Sequence, residues 1–169
     1  HVPLIARMSE GITGGISIVG QGTIGGSACY ANPPSDVPAC LVALRARLRL
    51  CSTKGVREID AAQFYRGAFA TARLPDEMLI GIVFPKAPPM STCGYYKLKF
   101  STGSWPIVTA AVIAETDGAG RFFRVALGAV SAVPLLREGR LSADIQDGEI
   151  RAFARSCASI DAELSLIHI

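Results

Sequence analysis

Gly22-Thr-Ile-Gly-Gly-Ser27, followed nine residues later by Asp36, decides how the rest of the chain is read. Three glycines (Gly22, Gly25, Gly26) and two hydroxyls (Thr23, Ser27) fall within six residues. Glycine has no Cβ to keep a ligand off the backbone and tolerates φ > 0, so such a run can bring bare N–H groups close to a phosphate. The hydroxyls add further donors. A tight structural turn is the plain alternative. Asp36-Val-Pro-Ala predicts a helix start, with Asp36 as its N-cap, Pro38 tolerated in the first turn and an end near Leu44.

Upstream, Pro3–Glu10 reads as a helix stopped by Gly11, and residues 11–27 hold seven glycines, which predicts a long irregular loop. Downstream, Ala31-Asn-Pro-Pro-Ser35 is a turn cluster. From Arg45 the period becomes two: Arg45, Arg47 and Arg49 alternate with Ala46, Leu48 and Leu50. That gives a strand with a positive stripe, either solvated or a docking surface for an acidic partner. Lys54-Gly55 turns the chain into a returning strand, Val56–Asp60, followed by a short helical turn at 61–66 and an apolar strand at Met78–Phe84. Pro85-Lys-Ala-Pro-Pro89 reads as a boundary. Beyond it lie strands at 94–100, 107–115 and 122–130, with Asp117-Gly118 as a hairpin signal, then an amphipathic helix over 144–159. Lone Trp105, before Pro106, reads as a packing or subunit-contact residue and not as a flavin clamp. The expected fold class is α+β, with one domain over 1–86 and a smaller one over 87–163, a three-stranded antiparallel sheet with a helix on one face. Residues 164–169, Leu-Ser-Leu-Ile-His-Ile, look like a translated sequencing adapter and carry no expectation, nor does His168.

Composition narrows the function. Half of the 169 residues are apolar and only 18% are charged, so a buried core is feasible and disorder is not expected. A net charge of +3, with no basic run mixed with aromatics, argues against nucleic acid. No stretch approaches a membrane span, and the first residues have neither a basic region nor an apolar core of a leader. With no initiator Met, the chain is expected to begin within a longer gene product. Five cysteines (29, 40, 51, 93, 157) in no C-x-x-C arrangement point to reduced, structural thiols in the cytoplasm, not to a zinc or iron–sulfur site. Both histidines lie near the ends, which disfavours a Ser–His or Cys–His pair.

With these segments in place, the chain resembles the flavin-binding (medium) subunit or domain of the molybdenum hydroxylases, the group of aerobic carbon monoxide dehydrogenase and xanthine dehydrogenase. Thr23-Ile-Gly-Gly-Ser27 and Tyr30-Ala-Asn-Pro-Pro-Ser-Asp36 are similar to that family's T-[IL]-G-G-[SN] and H-A-D-P-x-x-D segments, with Tyr30 in place of the His and Asn32 in place of the first Asp. Phe64–Gly67, Leu74–Pro85, Tyr95-Tyr-Lys97 and Arg124-Val-Ala-Leu-Gly-Ala-Val130 continue the match in order, over roughly residues 3–160. The N-terminal flavin-binding half of the family, with its second Gly-rich loop, has no counterpart here, so the resemblance is to the C-terminal half of a two-subdomain FAD-binding fold.

The resemblance implies FAD as cofactor, with molybdopterin and iron–sulfur clusters confined to a large and a small partner subunit. It implies that Thr23, Ile24, Gly25, Gly26 and Ser27 contact the pyrophosphate and ribityl chain, and that Tyr30 lies in the adjoining turn. Asp36 would bond a ribityl hydroxyl, Leu79 and Ile80 would wall the isoalloxazine, and Lys97 would place a cation near it. The structural alternatives are a helix cap for Asp36, strand core for Leu79 and Ile80, and a solvated lysine beside Lys99. The implied function is electron transfer: electrons arrive from the iron–sulfur clusters and leave to an external acceptor, with no catalytic side chain needed. A docking module that binds no flavin is the first alternative. An unrelated flavoprotein oxidase is the second, with Tyr30 and Tyr65 as its only obvious acid–base candidates.

Overall fold

A computed structural model describes residues 2–118, 120–142 and 144–158. The adapter-like tail and His168 lie outside them. The architecture is α+β with every strand pairing antiparallel. Helix α1 (Pro3–Glu10) starts with Pro3, whose missing N–H costs nothing there, and buries Leu4 and Met8, one turn apart.

The expected long loop at 11–27 is not one. It folds into α2 (Gly15–Gln21) and α3 (Ile24–Tyr30). The glycines act as helix punctuation. Gly14 takes φ +93° ahead of α2, where a Cβ would lie 2.3 Å from Ile18 Cγ1. Gly22 closes α2, and extended Thr23 opens α3 by accepting a bond from the Gly26 N–H at 2.9 Å. None of the residues of α2 is buried.

Helix α4 (Asp36–Ala43) follows the Pro-rich turn, and all eight of its residues are buried. Asp36 is not its cap. Ser35 holds the cap position, and the Asp36 carboxylate points away to other partners. Strands β1 (Arg47–Ser52) and β2 (Gly55–Asp60) form the expected hairpin. Arg45 lies outside it, at φ +50° in the preceding turn. The short α5 (Ala61–Phe64) leads to a two-stranded ribbon, β3 (Tyr65–Gly67) with β4 (Ala70–Thr71). Strand β5 (Met78–Val83) returns to the other edge of β1, giving the order β2-β1-β5.

The second sheet has four strands, not three: β6 (Thr92–Lys99), β7 (Pro106–Asp117), β8 (Gly120–Gly128) and β9 (Leu135–Leu141), in that order. β9 reads Leu-Leu-Arg-Glu-Gly-Arg-Leu, with charges on both faces and a glycine inside, so it lacks the alternation that marks a strand. Gly139 has a reason: a Cβ there would lie 2.4 Å from the Phe153 ring of α6 (Asp147–Ala158). Through Phe153 and Cys157, α6 covers the outer face, packing against Val125 and Leu127.

The inner face packs on α4, and its register is simple. Lys97, Thr109 and Gly128 form one cross-strand row; Tyr95, Ala111 and Ala126 form the next; Cys93, Ile113 and Arg124 form the third. The Arg-x-Ala-x-Gly spacing of β8 therefore presents its small residues to the helix. Gly128 is the point of closest approach, where a Cβ would meet Thr109 Oγ1 at 2.5 Å and Ala39 Cβ at 3.2 Å. One apolar core runs from Leu48 and Leu50 through α4 to Ala111, Ile113 and Ala126.

Candidate functional site

The start of α3 supplies the donors. The Thr23 side chain occupies the Gly26 N–H, and the first-turn N–H groups of Ile24 and Gly25 have no intrahelical acceptor. Gly25 is not required by packing. Its φ is ordinary, and a Cβ would only touch Leu79 Cδ2 at 3.6 Å. Gly26 is tighter, at 3.0 Å from Thr23 Oγ1. Ser27, in the last turn of the same short helix, shares a 3.0 Å hydrogen bond with Ser35.

Asp36 is buried at the N-terminal end of α4. It accepts a hydrogen bond from the Tyr95 hydroxyl at 2.5 Å and one from Lys97 Nζ at 2.8 Å. Tyr95 and Lys97 reach it together because they are two apart on β6 and so share the inner face. Lys97 also donates to the Gly11 carbonyl at 3.1 Å. It is 9% exposed and its partner 10%, so it is no solvated lysine. Burial, then the hydrogen bond to Asp36, push the Tyr95 hydroxyl up, so it stays a donor at all ordinary pH values.

Thr23, Ile24, Ser27 and Asp36 line one cavity of about 290 Å3. Its remaining wall is largely apolar, from Ile12 between α1 and α2, Ile18 and Val19 of α2, and Val37 of α4, with Trp105 at its edge. The cavity is of the size that holds part of a drug-sized ligand.

Other expected residues lie elsewhere. Tyr30 ends α3, exposed and tilted against Phe69 with ring centroids 5.3 Å apart. Leu79 packs on α3 at Gly25, outside the cavity, and Ile80 is exposed. The pairing of β1 with β5 shifts register here, Leu50 facing Leu79 and Arg49 facing Gly81, which leaves Ile80 as the extra residue of a bulge. The arginine stripe is paired within the chain: Arg47 and Arg49 with Glu58 at 3.0 and 2.8 Å, and Arg45 with Glu138 at 2.7 Å. The stripe is thus partly neutralised within the chain while its side chains stay about half exposed.

Two features were missed in the sequence. Tyr95 stands in the sequence only as part of a motif, although its spacing from Lys97 marks it as a partner on the same face. Glu77 was likewise read only within a motif. Its carboxylate receives Arg57 Nε at 2.5 Å, a second Arg57 nitrogen at 2.8 Å and the Leu74 N–H at 2.7 Å, which pin residues 72–77 to β2. The Arg57 hydrogen bonds, then the Leu74 N–H, hold its pKa down at about 2. All five cysteines are free thiols. Among the described residues no cluster of three or more metal-ligating side chains occurs, and no helix is long and apolar enough to cross a membrane.

Residues 2–87 match the family described as the FAD binding domain in molybdopterin dehydrogenase. The chain belongs to this family. As a member of the molybdopterin dehydrogenase FAD-binding family, it is similar to the carbon monoxide dehydrogenase medium chain of Afipia carboxidovorans, with 35% identity over 120 residues, 70% of this chain and 41% of that one. The corresponding chain of Hydrogenophaga pseudoflava is 31% identical over 140 residues, 82% of this chain and 48% of that one. The solved carbon monoxide dehydrogenase of Hydrogenophaga pseudoflava superposes with a TM-score of 0.84 at 28% identity, covering 92% of this chain and 55% of that one. The chain thus spans about half the length of the relatives it matches.

Proposed function

We propose that this chain holds FAD as the medium component of a molybdopterin dehydrogenase. Electrons would reach it from iron–sulfur clusters of a small subunit, after substrate oxidation at a molybdenum centre in a large subunit, and leave to an external acceptor. The observation that carries the reading is the convergence of Thr23, Ile24, Ser27 and Asp36 on one cavity at a helix start.

The residues present suit the group in kind. A diphosphate needs clustered N–H and O–H donors, and the start of α3 offers the Ile24 N–H beside the hydroxyls of Thr23 and Ser27. A ribityl chain needs hydroxyl acceptors, and Asp36 still has lone pairs beyond those used by Tyr95 and Lys97. Gly25 and Gly26 do not line this cavity, and Gly25 abuts Leu79 instead. FAD supplies the electron relay when bound, and the side chains bind, orient and exclude water. Lys97 fixes the orientation of the Asp36 carboxylate, and the apolar walls keep water from the ring. About 290 Å3 holds a part of FAD and not all of it, so the rest needs surface beyond this cavity. Tyr30, Leu79 and Ile80 lie outside the cavity and have no part in this arrangement.

Equilibrium dialysis against FAD tests the reading. Saturable binding of one FAD per chain is expected in the micromolar to millimolar range. Ser27→Ala removes one donor to a charged group and should weaken binding at least about tenfold. No saturable binding, or identical affinity in Ser27→Ala and Thr23→Ala, would overturn it.

A further inference from the structure

A second cavity, of about 660 Å3, takes no part in the arrangement above. It opens past the C-terminal end of α4, at Leu44 and Arg45, whereas the first meets that helix at Asp36 and Val37. Eight helical residues, about 12 Å of rise, lie between them. Its charge is one-sided. Arg7, Arg45, Lys86 and Arg124 line it together with a single carboxylate, that of Glu115. Arg124 pairs with Glu115, and Arg45 with Glu138, which does not line the cavity. Among the described residues Arg7 and Lys86 have no acidic partner, so two of the four positive charges are left over. Helix α1 begins there too, at Pro3, with neither a side-chain cap nor an acidic residue in its first turn, and so adds the positive end of its dipole.

Two of these cations are held at a cost that the fold does not explain. The Arg124 side chain is 9% exposed. One terminal nitrogen donates to the Ala43 carbonyl at 3.1 Å and the other to Glu115, but its buried Nε–H has no acceptor. The Glu138 carboxylate is 3.9 Å off, beyond hydrogen-bond reach. A buried donor left unmade is costly. Burial, then the charge of nearby Arg45, also hold the Arg124 pKa below its ordinary range. Arg45 itself sits at φ +50° just past the end of α4, where glycine is the usual residue. An oxyanion between the two guanidiniums would take up the free Nε–H and relieve the repulsion. We propose that this cavity binds an organic phosphate of nucleotide size, a nucleoside monophosphate, with its phosphate at Arg45 and Arg124 and its base on the apolar floor of Leu4, Leu44 and Phe84. Guanidinium forks match phosphate oxygens. A phosphate monoester carries about −1.5 to −2 charge at pH 7, which balances the two unpaired cations. The volume is that of a small-molecule site, far more than a bare ion fills. The inference stands apart from the flavin reading, which concerns the other end of α4.

The test is calorimetric titration of the chain with AMP, adenosine and inorganic phosphate. AMP should bind saturably, one per chain, in the micromolar to millimolar range, and more weakly as salt rises. Adenosine and phosphate should each bind at least about tenfold more weakly than AMP. Arg45→Gly should weaken AMP about tenfold without lowering the urea midpoint, since glycine suits that backbone. Arg7→Ala combined with Lys86→Ala should weaken it roughly two- to tenfold. The Nε–H resonance of Arg124 should shift as AMP is added. Ser27→Ala, at the first cavity, should leave AMP affinity unchanged. No saturable AMP binding, adenosine binding as tightly as AMP, or unchanged affinity in Arg45→Gly would overturn the inference. Phosphate binding as tightly as AMP would overturn the nucleotide in favour of a plain anion. A loss in Ser27→Ala equal to that in Arg45→Gly would overturn it by placing AMP in the first cavity.

Discussion

Removing the charge at either end of the Asp36–Lys97 pair should take away a large share of the chain's stability, whereas removing both should take away much less than the sum. The two side chains are 10% and 9% exposed, their polar atoms are 2.8 Å apart, and Tyr95 adds a bond at 2.5 Å to the same carboxylate. Breaking a buried pair by removing one partner costs about 3–5 kcal/mol, because the survivor stays desolvated and unpaired. Domains of this kind are stable by only about 5–15 kcal/mol in total. Lys97→Met should therefore lose about 3–5 kcal/mol, and Asp36→Asn somewhat less, since the amide oxygen can still accept from Tyr95. The double variant should recover at least about 2 kcal/mol of the summed loss, because no lone charge remains. The assay is urea unfolding at pH 7, followed by far-ultraviolet circular dichroism, with a double-mutant cycle. Lys54→Met is the control: its partner Asp76 is 3.4 Å away, the two side chains are 82% and 45% exposed, and the loss should stay below about 1 kcal/mol. Single losses under 1 kcal/mol that simply add would refute the claim that this pair is a buried, coupled unit.

Gly128→Ala should destabilise by about 1–3 kcal/mol, because a methyl group there strikes Thr109 and Ala39 where α4 meets the sheet. A urea midpoint equal to the wild type would refute that close approach. The Glu77 carboxylate, held at about 2 by Arg57 and the Leu74 N–H, sits below its ordinary range near 4.5. Its contribution to stability is therefore complete above about 4.5 and is lost as pH falls toward about 2. In Glu77→Gln that acid-dependent loss should shrink, as followed by thermal melts across this window; an unchanged profile would show that other groups carry it.

Most of the elements were legible because their patterns were local. The period-two run from Arg47, the turn at Gly55 and the amphipathic 147–158 stretch each state their structure in a few residues. The failures have particular causes. Glycines between residues 11 and 27 were counted as breakers, when their positions at Gly14 and Gly22, with Thr23 after them, are those of helix ends. β9 escaped because Glu138 faces Arg45 and Arg124, an ionic arrangement that no hydropathy pattern records. In the site, Thr23, Ile24, Ser27 and Asp36 were placed by motif, and the fold gathers them. The Asp36–Tyr95–Lys97 cluster needed the register of β6 against α4, some sixty residues away in sequence, which spacing alone does not supply. Trp105 needed the same information, since only the return of the chain between β6 and β7 brings it to a cavity built from residues of the first half.

Helix α4 has no outward side. The four-stranded sheet and helices α1, α3 and α5 surround it, so neither half of the chain owns a finished interior, and a cut in the Pro85–Pro89 stretch would leave each piece with greasy surface and nothing to cover it. Heat or denaturant should then meet a single melting event and not two. A ligand gripping the front end of that helix would steady the far sheet as much as the near one.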